Sequence, residues 1–177
     1  MPYATSSKIA LLLFGAIAGL QAAQSVYDFS IATPDGKETS LKTYEGKVLL
    51  IVNVASHTIY SDQIPKLETL YQAYSKQGLV IIGIPSDDFG HGEPGKPDLH
   101  VTFPVAVKSA LTGPNRLPLF EYLTDEKLNP KTGGELPWNF TKYLIGRDGK
   151  PTARYGAGTQ PDSAELMAAI EIALEKK

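Results

Sequence analysis

The sequence predicts an α/β domain in which helices flank a central mixed β-sheet, and three observations carry that expectation. Leu49 to Val54 is an apolar, β-branched run suited to a strand buried on both faces. Between Ser61 and Gln77 the apolar residues Ile64, Leu67, Leu70, Tyr71 and Tyr74 recur at helical spacing, and Gly78 is a suitable stop. Leu79 to Ile84 is a second apolar run, ended by Pro85. Strand, helix and strand in that order imply a right-handed parallel crossover. A later pair, Trp138 to Ile145 and Thr152 to Tyr155, is joined by the turn residues Arg147-Asp148-Gly149-Lys150 and adds antiparallel strands.

The chain begins with a segment of a different kind. Lys8 is the only charged side chain before Asp28, and it precedes an apolar stretch from Ile9 to Leu20 and the small residues Ala22 and Ala23. Positive end, apolar core and small residues resemble a secretory signal peptide over residues 1–23. An uncleaved signal anchor is the alternative, although the apolar core falls short of the roughly 20 residues a spanning helix needs. The expectation is export to a periplasmic or extracellular space, a single domain over residues 24–177, and no membrane attachment after cleavage.

Val26 to Ser30 reads as a short strand, and Pro34-Asp35-Gly36-Lys37 as a turn between two strand-like pieces. Lys42 to Lys47 is a polar connector into the central strand. Pro65 is best tolerated in a first helical turn, so the helix begins near Ile64. Ser86 to His100 is a loop rich in Gly, Pro, Asp and His, and Val101 to Val105 is a short extended piece. Leu117 to Leu123 forms a short helix ahead of a polar loop. A last helix runs from about Asp162 to Glu175, with Leu166, Ile170, Ala173 and Leu174 on its buried face and Asp162 or Ser163 as its cap.

Composition narrows the function. A net charge of -2 supplies no basic field for nucleic acid. The chain has no cysteine, which excludes disulfides, thiolate metal sites and a cysteine nucleophile. The loop after the central strand, ahead of a helix N-terminus, is the natural place for chemistry. Its middle residue is Thr58. His57, Asp87, Asp88 and His91 lie in two loops that such a fold brings together, and they could bind a divalent ion or run acid–base chemistry. No tight ligand spacing supports a metal site, and a Thr58–His57–Asp hydrolytic set is weaker still, because adjacent residues rarely meet as nucleophile and base.

Four ordered blocks resemble the glutathione peroxidase family, a branch of the thioredoxin-like fold. They are Gly46 to Ser56, Ile84 to Gly95, Val101-Thr102-Phe103-Pro104 and Trp138-Asn139-Phe140. The resemblance covers residues 26–177 and implies hydroperoxide reduction by a peroxidatic cysteine or selenocysteine, which glutathione or thioredoxin then restores. It places the nucleophile position on Thr58, the family glutamine on Asp88, the tryptophan on Trp138 and the asparagine on Asn139. It implies no cofactor.

Two of those four positions depart from the family. An alcohol neither loses its proton near neutral pH nor cycles between oxidation states as sulfur does. An aspartate at position 88 sets an anion where a neutral amide stands. The segment from Lys96 to His100 is also too short for a helix bearing a resolving cysteine. The sequence therefore predicts a peroxidase-like protein without peroxidase activity, retained to bind or scaffold a small molecule or a protein. Reuse of the cleft for metal-dependent or hydrolytic chemistry is the alternative. Trp138 and Asn139 are open to a plain packing role, and Glu93-Pro94-Gly95 to a loop-framework role.

Overall fold

The computed structural model describes residues 23–93 and 99–176. The segment 1–22 and the leading part of the 96–100 connector lie outside the described residues. Four strands form the central sheet in the order β4-β3-β5-β6. These are β3 (Val48–Val54), β4 (Leu79–Pro85), β5 (Lys142–Ile145) and β6 (Pro151–Tyr155). β3 pairs with β4 in parallel and with β5 antiparallel, and β5 pairs antiparallel with β6. The sheet is mixed, as the sequence predicts. A separate hairpin pairs β1 (Ser30–Ala32) with β2 (Glu38–Ser40).

Alternation along β3 explains why it is buried throughout. Val48, Leu50, Val52 and Val54 face a core shared with helix α1 (Gln63–Tyr74) and helix α3 (Ala164–Glu175), through Leu67, Leu166 and Ile170. Leu49 and Ile51 face a second core with Phe120 and Leu123 of helix α2 (Pro118–Thr124). Each face of the strand therefore meets a helical layer, so no position can be polar without a specific partner. Asn53 is the exception, and it has such partners.

Three elements differ from expectation. Val26–Asp28 is a 3-10 turn rather than a strand, because Ser25 and Asp28 form a reciprocal capping box around it. Strand pairing begins only at Ser30. The helix begins at Gln63 with Pro65 in its first turn, as expected, but it is α-helical only to Tyr74, and a 3-10 turn from Ser75 to Gln77 finishes it. Trp138, Asn139 and Phe140 belong to a turn and not to β5. Phe140 adopts a φ of 58°, which a strand cannot accommodate. Ser163 caps α3, its hydroxyl accepting from the Leu166 N–H.

Among the described residues, no helix is long and apolar enough to cross a membrane.

Candidate functional site

Asn53 sits in the penultimate position of β3 and organises one wall of the site. Its Oδ1 accepts from the Thr141 N–H at 2.8 Å, and its Nδ2 donates to the Trp138 carbonyl at 3.2 Å. Its own carbonyl accepts from the Phe140 N–H at 2.7 Å. A buried amide inside an apolar strand thus holds the whole turn from Trp138 to Thr141.

Glu93 organises the opposite wall. It is 1% exposed, and its carboxylate accepts from both the Ser56 N–H (2.7 Å) and the Ser56 hydroxyl (2.8 Å). Its N–H donates to Asp87 Oδ1 at 3.1 Å, and its carbonyl accepts from Lys108 Nζ at 3.0 Å. The His57 N–H donates to the Gly92 carbonyl at 2.8 Å. The loops after β3 and β4 are thereby joined at several points.

Thr58 lies between these walls, partly buried. Its Oγ1 accepts from the Tyr60 N–H at 3.2 Å, a local turn contact. The first two N–H groups of α1 are also engaged, Gln63 with the Tyr60 carbonyl and Ile64 with the Ser61 carbonyl. The helix end therefore offers less unpaired N–H to an anion than its sequence position suggests. A Cβ added at Gly92 would collide with the Thr58 Cγ2 methyl and come to 3.1 Å from Ala55 Cβ and 3.2 Å from Asn139 Nδ2. Thr58 and Asn139 consequently converge on one spot, and the missing side chain at position 92 makes room for both.

Asn139 is fully buried. Its Nδ2 donates to the Phe89 carbonyl at 2.9 Å, while its Oδ1 has no partner. Trp138 is 44% exposed, with its ring 5.7 Å from that of Phe89 and its edge against Gly90. Its indole is therefore part of the rim and not a core anchor. Ile59, beside Thr58 in the chain, is 87% exposed.

The Asp88 carboxylate is engaged with a loop further along the chain. Its Oδ2 accepts from the Leu111 N–H (2.6 Å), the Thr112 N–H (2.9 Å) and the Thr112 hydroxyl (3.1 Å), fastening a neighbouring loop. Local backbone donors compete for an aspartate and have captured this one. Thr58, Trp138 and Asn139 thus gather around residues 89–92, while Asp88 Oδ2 fastens residues 111–112.

The remaining polar residues do not assemble a hydrolytic set at Thr58. His57 Nδ1 lies 2.8 Å from Ser56 Oγ, not against the threonine hydroxyl. The Ser56 hydroxyl that faces His57 Nδ1 is itself directed at the Glu93 carboxylate. His91 contacts Asp87 at 3.4 Å on the surface. The Glu93 N–H, then His91 and Lys108, hold the Asp87 carboxyl below the usual carboxylate value. Among the described residues, no three His, Asp or Glu side chains converge as a group able to hold a metal ion.

Sequence reasoning missed Asn53 and Lys142. A lone amide in an apolar run was the available signal for the first. Lys142 is fully buried on β5, with Nζ donating to the Phe140 carbonyl at 2.8 Å, and burial lowers its pKa to about 8. Glu93 fits the framework role read from its motif, but as a buried carboxylate that joins two loops.

Comparison with known proteins places this geometry. The family model for glutathione peroxidase matches residues 26–124. The hydroperoxy fatty acid reductase gpx1 of Synechocystis sp. is 39% identical over 165 residues, covering 85% of this chain and 96% of that protein. The glutathione peroxidase homolog BsaA of Bacillus subtilis is 36% identical over 150 residues, covering 80% of this chain and 94% of that one. The apo crystal structure of Trgpx superposes with a TM-score of 0.73 at 35% identity, covering 88% of this chain and 98% of that one. A thioredoxin-family thiol:disulfide interchange protein of Chlorobium tepidum shares the fold alone, with a TM-score of 0.59 at 18% identity.

Proposed function

We propose that this chain, which belongs to the glutathione peroxidase family, does not run the peroxidatic cycle and keeps its cleft for binding or scaffolding. The observation that carries the reading is Thr58, at the family's nucleophile position in a chain with no cysteine. Reduction of a hydroperoxide at that position needs a thiolate that attacks the O–O bond and becomes a sulfenic acid. The threonine hydroxyl keeps its proton at neutral pH and has no comparable oxidation step. A helix dipole contributes about 1 kcal/mol toward an anion, too little to make an alkoxide.

The frame around Thr58 supports retention of a contact surface. Asn53, Glu93 and Asn139 are each fully or almost fully buried and hydrogen-bonded across loops. Ile59 and Trp138 leave apolar area in solvent at the rim.

The test is a hydroperoxide assay with glutathione and, separately, reduced thioredoxin as donor. The expected result is no thiol-dependent turnover above the protein-free rate, for the native chain and for Thr58→Ala alike. Robust turnover by the native chain, unchanged in Thr58→Ala, overturns the reading. Thr58→Cys, alone and combined with Asp88→Gln, then separates a single lost atom from wider divergence: activity from the one change means the frame still positions a nucleophile.

A further inference from the structure

We propose that Lys142 is a positioning residue for the cleft: its side-chain nitrogen, reaching back to the Phe140 carbonyl, sets where Trp138 and Asn139 stand, and its proton makes that placement sensitive to pH. Lys142 opens β5 and is fully buried. Its Nζ donates to the Phe140 carbonyl, two residues back, at 2.8 Å. Phe140 is left-handed, with a φ of 58°, a conformation that a residue with a side chain keeps only when its surroundings hold it. The Asn53 carbonyl holds its N–H at 2.7 Å, and Lys142 holds its carbonyl. The peptide on each side of Phe140 is thereby fixed, and Asn139 and Trp138 lead directly from it.

Neutral groups tie down the rest of the turn. Asn53 Nδ2 and the Thr141 hydroxyl donate to the Trp138 carbonyl, at 3.2 and 2.9 Å. Among these anchors Lys142 alone can change its charge. It stands opposite Val52 on β3 and Tyr155 on β6, and α1 and α3 cover that side of the sheet through Leu67, Leu166 and Ile170. The charged side chains at that end of the two helices are Asp62, Lys66 and Glu165. Asp62 is exposed, and Lys66 lies 3.3 Å from Asp162. Burial, then Glu165, raises the pKa of the Tyr155 phenol, which keeps that ring neutral. Among the described residues no carboxylate forms an ion pair with Lys142. With no such partner, burial lowers its pKa to about 8.

A hydrogen bond from an ammonium is roughly twice as strong as one from a neutral donor. Below about pH 8 the charged group grips the Phe140 carbonyl, and above it the neutral amine grips less firmly. The turn then gains freedom, and with it the indole at the rim. Losing the proton also removes a buried charge, so the folded state gains stability relative to the unfolded chain as pH rises through this range. The wall loosens while the fold strengthens. A residue that only propped up the fold would move both in the same direction. Lys142 acts on the wall whatever the chemistry at Thr58.

Trp138 is the one tryptophan of the chain, so its emission reports on this wall directly. The experiment follows Trp138 emission, and its quenching by acrylamide, across neutral to mildly alkaline pH. The native protein is expected to show a step centred near pH 8. Quenching is expected to rise by up to about twofold across it, from a residue that is 44% exposed. Lys142→Met is expected to remove the step. A flat native profile overturns the proposal, and so does a step near pH 8 that survives in Lys142→Met. If Lys142→Met does not fold, the Lys142 Cε signal of the native protein is titrated by NMR beside the Trp138 indole signal. A shared midpoint supports the proposal, and an indole signal that does not follow Lys142 overturns it.

Discussion

Asn53 and Thr58 stand five residues apart on one strand and its loop, yet the fold uses them very differently. Asn53 bonds through its side chain and backbone to three residues of a distant turn. Thr58 spends its hydroxyl on a contact two residues away. The difference teaches that the wall of this site and its reacting position are separable. The wall is part of the folding problem, because its polar groups are buried and must be satisfied. The reacting position is not, so it can lose its chemistry while the structure persists.

That separation breaks most readily at Glu93. Glu93→Ala removes the buried carboxylate that accepts from the Ser56 N–H and hydroxyl, and is expected to cost about 3 kcal/mol in urea unfolding. A loss below about 1 kcal/mol contradicts the separation. Lys142, behind the turn, gives an effect nearly as large and a sign to check. Unfolded, it keeps its proton up to about 10.4; folded, burial releases that proton at about 8. Between those values the unfolded chain binds more protons, so stability rises with pH, by up to about 3 kcal/mol. Buried tyrosines such as Tyr143 and Tyr155, whose pKa values burial raises, oppose this only above about pH 10. Lys142→Met is expected to abolish the rise between pH 8 and 10 in thermal or urea unfolding.

Smaller effects sharpen the contrast. Asp88→Ala frees the Leu111 and Thr112 N–H groups and is expected to cost about 1–2 kcal/mol, with faster amide exchange confined to that loop. Exchange that spreads to residues 56–60 instead would make Asp88 part of the reacting site after all. Thr58→Ala is expected to change stability by less than about 1 kcal/mol. A larger loss would show the fold depending on that side chain, and the two regions would no longer be separable.

Periodicity carried most of the fold into view. The two apolar runs, the helical spacing from Ile64 to Tyr74 and the hairpin turn at Gly149 all correspond to observed elements. Short-range chemistry explains the misses. The capping box at Ser25 and Asp28 bends Val26–Asp28 out of a strand, and a positive φ at Phe140 detaches Trp138 from β5. Of the site, the meeting of Thr58 with Asn139 was legible through family resemblance. The capture of Asp88 by residues 111–112 was not, since it depends on which backbone donors a loop happens to present. Nor was the exposure of Trp138, since a residue type alone does not reveal whether a ring caps a core or edges a cleft.

Gly92 has a consequence for how such a chain can arise. Any side chain there competes with the threonine methyl for the same volume, so the two positions are epistatic. A side chain at 92 leaves no room for the threonine methyl at 58 and also presses on Ala55 Cβ and Asn139 Nδ2. Threonine at 58 therefore requires an empty position 92, whereas exchanging it for an unbranched residue needs no change at 92.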